Sequence, residues 1–252
     1  MAEASPPPAP APYVRPARRD ELDALAVLAR RAFIDDPVFN YSANLKEPLS
    51  NDVDNSKRRT LEACHCMLFK MAFGLKARVM VVAVPEASSE KETSRKTKER
   101  LAATCIWMPP GKRMGFEHPM ILLRSGIFRV IRGWGVNGLM RLGLEYPDGI
   151  EKTWKSIWKE QKIKDDQGKG YLSLLVHEMF AKMPEEIIML DASTSKSRDQ
   201  YVHLGFRLEK PFMVGKGKAN SVGYSEKGGP GMELYGMAKW GSLAHSPGQK
   251  DA

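Results

Sequence analysis

The sequence predicts a mixed α/β (α+β) fold, and three observations predict it. Apolar residues recur at helical spacing near the start, a nearly continuous β-branched run is followed after a polar stretch by a second strand-like segment, and the C-terminal third reads loop, helix, strand, helix, strand. The chain has 252 residues, enough for one large domain or two small ones. With 42% hydrophobic and 27% charged residues, its composition excludes collagen-like, wholly disordered and disulfide-scaffolded classes.

Met1 to Pro12 is rich in Ala and Pro without the basic-then-apolar layout of a secretory signal, so a disordered leader over 1–12 is expected, with a disordered tail over 242–252. Tyr13 to Ala17 reads as a short strand placed at an edge or strand end by Pro16. Asp20 is the expected N-cap of a helix whose apolar stripe is Leu22, Leu25, Ala26, Ala29 and Phe33, and which stops before Asp36-Pro37. A second helix is predicted over Ser56 to Phe73, with Leu61, Leu68 and Phe69 on one side.

Arg78 to Val84 has the apolar, β-branched character of a strand buried on both faces. Glu86 to Arg100 lacks an apolar period and is expected to be an exposed connection. Leu101 to Met108 returns as a strand, so the two make an antiparallel pair. From Met120 to Leu144 the spacing predicts two helices broken by Gly133, Gly135 and Gly138. Four arginines in this stretch exclude a membrane span. Six basic residues against one acid between Lys112 and Arg141 give a net +5 of the chain's +9, which reads as a solvated basic face or as the wall of an anion pocket.

Three cysteines, Cys64, Cys66 and Cys105, do not make a disulfide framework, and the Cys64-His65-Cys66 run has no second pair to complete a metal site. Buried or half-buried thiols in a reducing, cytoplasmic compartment are expected, and no metal. His65, His118, His177 and His203 have no partners at metal or triad spacing, Trp134, Trp154 and Trp158 are expected in the core, and Asp35 and Asp36 are candidate bases whose Asp-Pro context also forms turns.

Gln167-Gly168-Lys169-Gly170 precedes Leu172, Leu175, Val176, Met179 and Met183, which makes a glycine loop opening an amphipathic helix. At such a junction unpaired backbone N–H groups and a positive dipole end favour phosphate, with Lys169 adding charge. Tyr171 to His177 also has the composition of a strand, which is the competing placement. Ile187 to Leu190 follows as an apolar run, then an Asp191 to Thr194 turn, a Lys196 to Leu204 helix closed by Gly205, and a last strand from Met232 to Trp240.

This order, with Gln167-x-x-Gly170 and Tyr201-x-x-x-Gly205-Phe206, resembles the GNAT superfamily of acetyl-CoA-dependent N-acetyltransferases. The likeness extends to Val14 to Ala17, to Ala32-Phe33-x-x-Asp36-Pro37, and to Trp107 to Gly111, which is similar to the end of the third strand in fungal-type and bacterial members. It implies one domain over 13–241 with a mixed, mostly antiparallel central sheet flanked by helices. It also implies acetyl-CoA as acyl donor, bound through Gln167, Gly168, Lys169, Gly170, Tyr171 and Leu172, and a small-molecule (or peptide) amine as acceptor, with neither nucleic acid nor membrane as partner. Tyr201 would be the general acid for the departing thiolate or a tyrosine packing beside the loop, and Ser197, one turn earlier, a cofactor contact or, more readily, a surface serine.

Two features depart from the family. Leu172 stands where members have Gly or Ala, and Lys159 to Asp166 is polar where an apolar strand leads into the loop. They motivate the alternative of a catalytically impaired GNAT-fold binding or regulatory protein.

Overall fold

The buried run predicted from Arg78 is the organising strand of the N-terminal half. A computed structural model describes residues 11–85, 99–109, 112–152, 171–182, 184 and 187–240. In it, β1 (Tyr13–Pro16), β2 (Arg78–Pro85) and β3 (Glu99–Trp107) form an antiparallel sheet with β2 in the middle. Side chains alternate along a strand, so β2 serves two layers at once. Val79 and Val81 pack on Leu25 and Ala29 of α1 (Leu22–Ala32) and on Phe69 and Ala72 of α3 (Ser56–Gly74). Met80 and Val82 face Leu175 of α7 (Tyr171–Lys182) on the other side.

The helix alternative for Tyr171 to His177 therefore holds, and the strand alternative does not. Leu175 packs on β2, while Val176, Met179 and Phe180 pack against the second sheet. That sheet has the order β4 (Ile188–Ala192), β6 (Met232–Lys239), β5 (Arg207–Val214), again antiparallel throughout. The molecule is thus a mixed α/β structure of antiparallel sheets flanked by helices. Instead of one central sheet, the described residues form two three-stranded ones. Lys159 to Asp166 and both expected disordered ends, save 11 and 12, lie outside the described residues.

Several boundaries differ from expectation, each for a tertiary reason. Asp20 does not cap α1: a 3-10 turn, Arg19–Glu21, precedes the helix, and the neighbouring Glu21 accepts from the Arg18 backbone N–H at 2.7 Å and from Arg15 at 2.6 Å. Arg15 reaches Glu99 as well, at 2.6 Å. Glu99 also accepts from the Tyr13 hydroxyl, and these two partners hold its carboxyl below the usual range. This capture draws Glu99 and Arg100, expected in the connection, into β3. Phe33 ends the helical stripe but is 44% exposed, because it follows the last residue of α1 and leaves the stripe.

The break expected among Gly133, Gly135 and Gly138 is present at Gly135, where φ +71° and ψ 174° leave the helical region inside α5 (Ile127–Met140), and a further one at Ser125 and Gly126 separates α4 (Pro119–Arg124) from α5. Gly133 and Gly138 are small because other chain segments lie against them. A Cβ would stand 2.0 Å from Thr60 Oγ1 at Gly133 and 2.6 Å from the Ser42 carbonyl oxygen at Gly138. Arg124, Arg129 and Arg132 are exposed while Val130, Trp134 and Leu139 are buried, so the basic stretch is an amphipathic helix pair with a solvated face. A π-turn, Arg141–Glu145, and a helical segment α6 at residues 146–152 follow.

In the C-terminal half, β4 runs on through Asp191 and Ala192, which pair with Gly236 and Tyr235 rather than turning. Helix α8 (Ser195–His203) starts at Thr194, whose hydroxyl accepts from the Ser197 N–H at 3.1 Å while Ser197 Oγ accepts from the Thr194 N–H at 3.2 Å. Ser197 is therefore a capping residue. The helix ends at Gly205, φ +84°, with Gly205 N–H donating to Val202 and Phe206 N–H to the Tyr201 carbonyl, both at 2.9 Å.

Candidate functional site

The junction of the two halves holds a cavity of about 400 Å³. Thr104, Cys105 and Ile106 of β3 contribute one wall, Asp191 and Ser193 close the end near β4, and the corner between α1 and α2 (Pro37–Ser42) supplies Phe33, Asp36 and Phe39. Among the described residues, β3 pairs only with β2 and β4 only with β6, so each sheet turns one edge without a strand partner toward this region.

Asp36 is set by local rules and then used across the molecule. As N-cap of α2 (Pro37–Ser42) its Oδ1 accepts from the N–H groups of Val38 (2.9 Å) and Phe39 (3.3 Å), with Pro37 preorganised at the first helical position. The turn-forming reading of Asp-Pro is correct. Its other oxygen accepts from the Ser193 hydroxyl at 2.5 Å, joining α2 to the end of β4. Burial pushes the carboxyl up, opposed by these three hydrogen bonds.

Tyr201 sits three residues before the C-cap of α8 and stacks edge-on against Phe206, ring centroids 5.7 Å apart. Burial, then Cys105 and Asp36, push its phenol up, which keeps it protonated at neutral pH. A second phenol, Tyr146, lines the cavity and is pushed well up by burial, Asp191, Asp36 and Tyr201. Tyr146, Asp36 and Asp191 thereby meet at one end of a largely apolar space, and Tyr201, which does not line it, is within electrostatic reach of Tyr146 and Asp36. Burial pushes the Cys105 thiol up to about 12, so it is a neutral thiol there, not a nucleophile.

His65 forms part of the opposite wall. It is buried, its Nδ1–H donates to the Leu61 carbonyl at 2.9 Å, and its ring lies 4.6 Å from Phe39 and 5.6 Å from Phe33. Burial pushes it down to about 4, with Arg30 assisting. Because the folded value is below the unfolded 6.5, the stabilisation is complete above pH 6.5 and is lost as pH falls toward 4. Unfolding free energies measured between pH 7.5 and 4.5 are expected to fall by up to about 3 kcal/mol from this group, and His65→Leu is expected to flatten the part of the loss between pH 6.5 and 5.

The other sequence candidates distribute as follows. Gln167, Gly168, Lys169 and Gly170 lie outside the described residues, and Tyr171 and Leu172 form the first turn of α7. Trp134 is in the core, Trp154 and Trp158 lie outside the described residues, and all three cysteines are free thiols, Cys64 buried and the others half-buried. Tyr146, Ser193 and Asp191 were not singled out by sequence reasoning. Asp191 and Ser193 fall in the Leu-Asp-Ala-Ser run, where an apparent turn hid a strand end, and Tyr146 has no local signal at all. Among the described residues no group of His, Cys, Asp or Glu is placed to hold a metal ion, and no helix is long and apolar enough to cross a membrane. No protein-family model matches the chain, and no curated protein matches it in sequence.

Proposed function

We propose that the protein is an acetyl-CoA-dependent N-acetyltransferase of GNAT type, acting on a small amine. The observation that carries the reading is that Tyr201, the residue the resemblance nominates as general acid, is within electrostatic reach of Asp36, which lines the polar end of a cavity between two sheets. The element order from α7 to β6 and the edges of β3 and β4 without strand partners among the described residues support it further. Such edges offer backbone N–H and C=O groups to an amide-containing arm. The bound thioester supplies an activated acyl carbon. Asp36, directly or through water, takes a proton from the ammonium, and the freed nitrogen forms a bond to the thioester carbonyl carbon as the C–S bond breaks. Tyr201 gives its proton to the departing sulfur, the amide nitrogen releases its second proton to solvent, and solvent reprotonates the phenol. A cytoplasmic setting is proposed from the three free thiols.

The test is isothermal titration and thermal shift with acetyl-CoA, followed by labelled acetyl transfer in a cell extract and identification of the product. Binding and a labelled amide are expected. No heat and no thermal shift at about millimolar acetyl-CoA, a concentration well above common substrate affinities, would overturn the reading. Leu172 in the first turn of α7 favours the second reading, a GNAT-fold protein without catalysis. Under that reading, Leu172→Gly raises acetyl-CoA binding sharply; under the first it changes binding little.

A further inference from the structure

We propose that the acceptor is a lipophilic primary amine, its apolar body enclosed by the cavity and its nitrogen at the Asp36–Ser193 end. The inference rests on the transferase reading for the word acceptor, but its binding component stands on the cavity alone. The walls are Phe33, Phe39, Met71, Phe116, Leu122 and Leu139, side chains that have no hydrogen bond to offer. Of the polar atoms on the remaining walls two are already committed, while His65 Nε2 is buried with no hydrogen-bond partner among the described residues. The Thr104 hydroxyl donates to the Met80 carbonyl at 3.0 Å, and His65 Nδ1–H donates to Leu61. A polyhydroxylated or multiply charged amine would leave its own polar groups without partners along these walls, a penalty that grows with each group.

At the closed end the character changes. Asp36, Asp191, Ser193 and Tyr146 meet there, and carboxylates repel an acid while attracting an ammonium. The resistance of the buried Asp36 carboxyl to ionisation is what an arriving cation relieves. Aromatic rings at Phe33, Phe39, Phe116 and Tyr146 suit a flat ring in the ligand. A cavity of about 400 Å³ is at the low end of small-molecule sites. It accommodates a body of roughly ten to fifteen non-hydrogen atoms and not a folded protein's loop, so a lysine-containing peptide is the competing acceptor and not the favoured one.

The experiment titrates the full chain, without acetyl-CoA, with 2-phenylethylamine and tryptamine, and in parallel with 2-phenylethanol, 3-phenylpropionate, glucosamine and a lysine-containing peptide. The two arylalkylamines are expected to bind about tenfold or more tighter than the alcohol, because of the charge-assisted contact at Asp36. 3-Phenylpropionate and glucosamine are expected to show no saturable binding. In Asp36→Asn, which retains a good N-cap, amine and alcohol are expected to bind within about twofold of each other. The wild-type comparison of amine with alcohol decides the matter even where the variant does not fold. Equal binding of amine and alcohol, or preference for glucosamine or the peptide, overturns the inference. Amine binding with no transfer from acetyl-CoA defeats the transferase reading and leaves the amine site standing, whereas transfer to hydrophilic amines with no phenylethylamine binding does the reverse.

Discussion

Tyr201→Phe is expected to lower kcat for acetyl transfer by roughly 10²- to 10³-fold, the scale of a lost general acid, while the KM for acetyl-CoA stays within about twofold. Phenylalanine keeps the edge-on contact with Phe206 and the backbone bond from the Phe206 N–H to residue 201, so the C-terminus of α8 is undisturbed. What disappears is a hydroxyl that burial, Cys105 and Asp36 hold in its protonated form. A donor that remains protonated imposes no alkaline decline on the rate near neutrality, so the wild-type rate is expected to hold as pH rises through 8 and 9, within the range where an ordinary tyrosine, near 10, is still largely protonated. Steady-state kinetics on both proteins across that range checks the expectation. A variant with unchanged kcat would make Tyr201 a packing residue and move the proton donor to Tyr146.

The largest stability effect is expected at Gly223. Its φ is +86°, a conformation L side chains rarely adopt, and a Cβ there would lie 2.1 Å from the Pro37 carbonyl oxygen, a backbone atom with no flexible end to swing aside. Strain and clash together place Gly223→Ala among the severe substitutions, at about 3 kcal/mol or more. The segment around it clasps α2: the Asn40 side chain donates to the Val222 carbonyl at 3.0 Å and the Ser225 N–H to the Leu45 carbonyl at 2.7 Å. Urea unfolding measures the loss, and a lowered midpoint with an unchanged m-value is the expected form. Since Pro37 directly follows Asp36, the amine site is expected to weaken in the same variant.

Much of the fold was legible in the sequence where burial is periodic. β2 is readable because both its faces are covered, so every position after Arg78 is apolar; α8 is readable because Thr194 and Gly205 mark its ends chemically. Legibility fails where a distant group outbids a local one. Nothing near Asp20 tells that Arg15 will claim Glu21 and pull the first turn tight, and nothing near Glu99 announces its two partners on β1. Composition alone left Tyr171 to His177 open between helix and strand; what marks the helix is that Val176, Met179 and Phe180, at i, i+3 and i+4, share one face against the second sheet. For the site, Asp36 and Tyr201 were readable from motifs. Their convergence was not, because the Asp36–Ser193 contact joins residues 157 apart in the chain, and sequence spacing carries no information about that encounter.

The seating of α7 ties the two halves together in an energetic sense. Adjacent residues, Leu175 and Val176, are committed to opposite sheets, so the width of the gap between β3 and β4 cannot change without moving the same helix. The proposed donor site lies at the N-terminus of α7, and the proposed amine site lies in the gap. A ligand that fixes either one restricts the other, and by linkage the factor by which acetyl-CoA changes amine affinity must equal the factor by which the amine changes acetyl-CoA affinity. Under the proposed reading, the order in which the two ligands bind is a matter of kinetics, while their mutual influence at equilibrium is a single shared number.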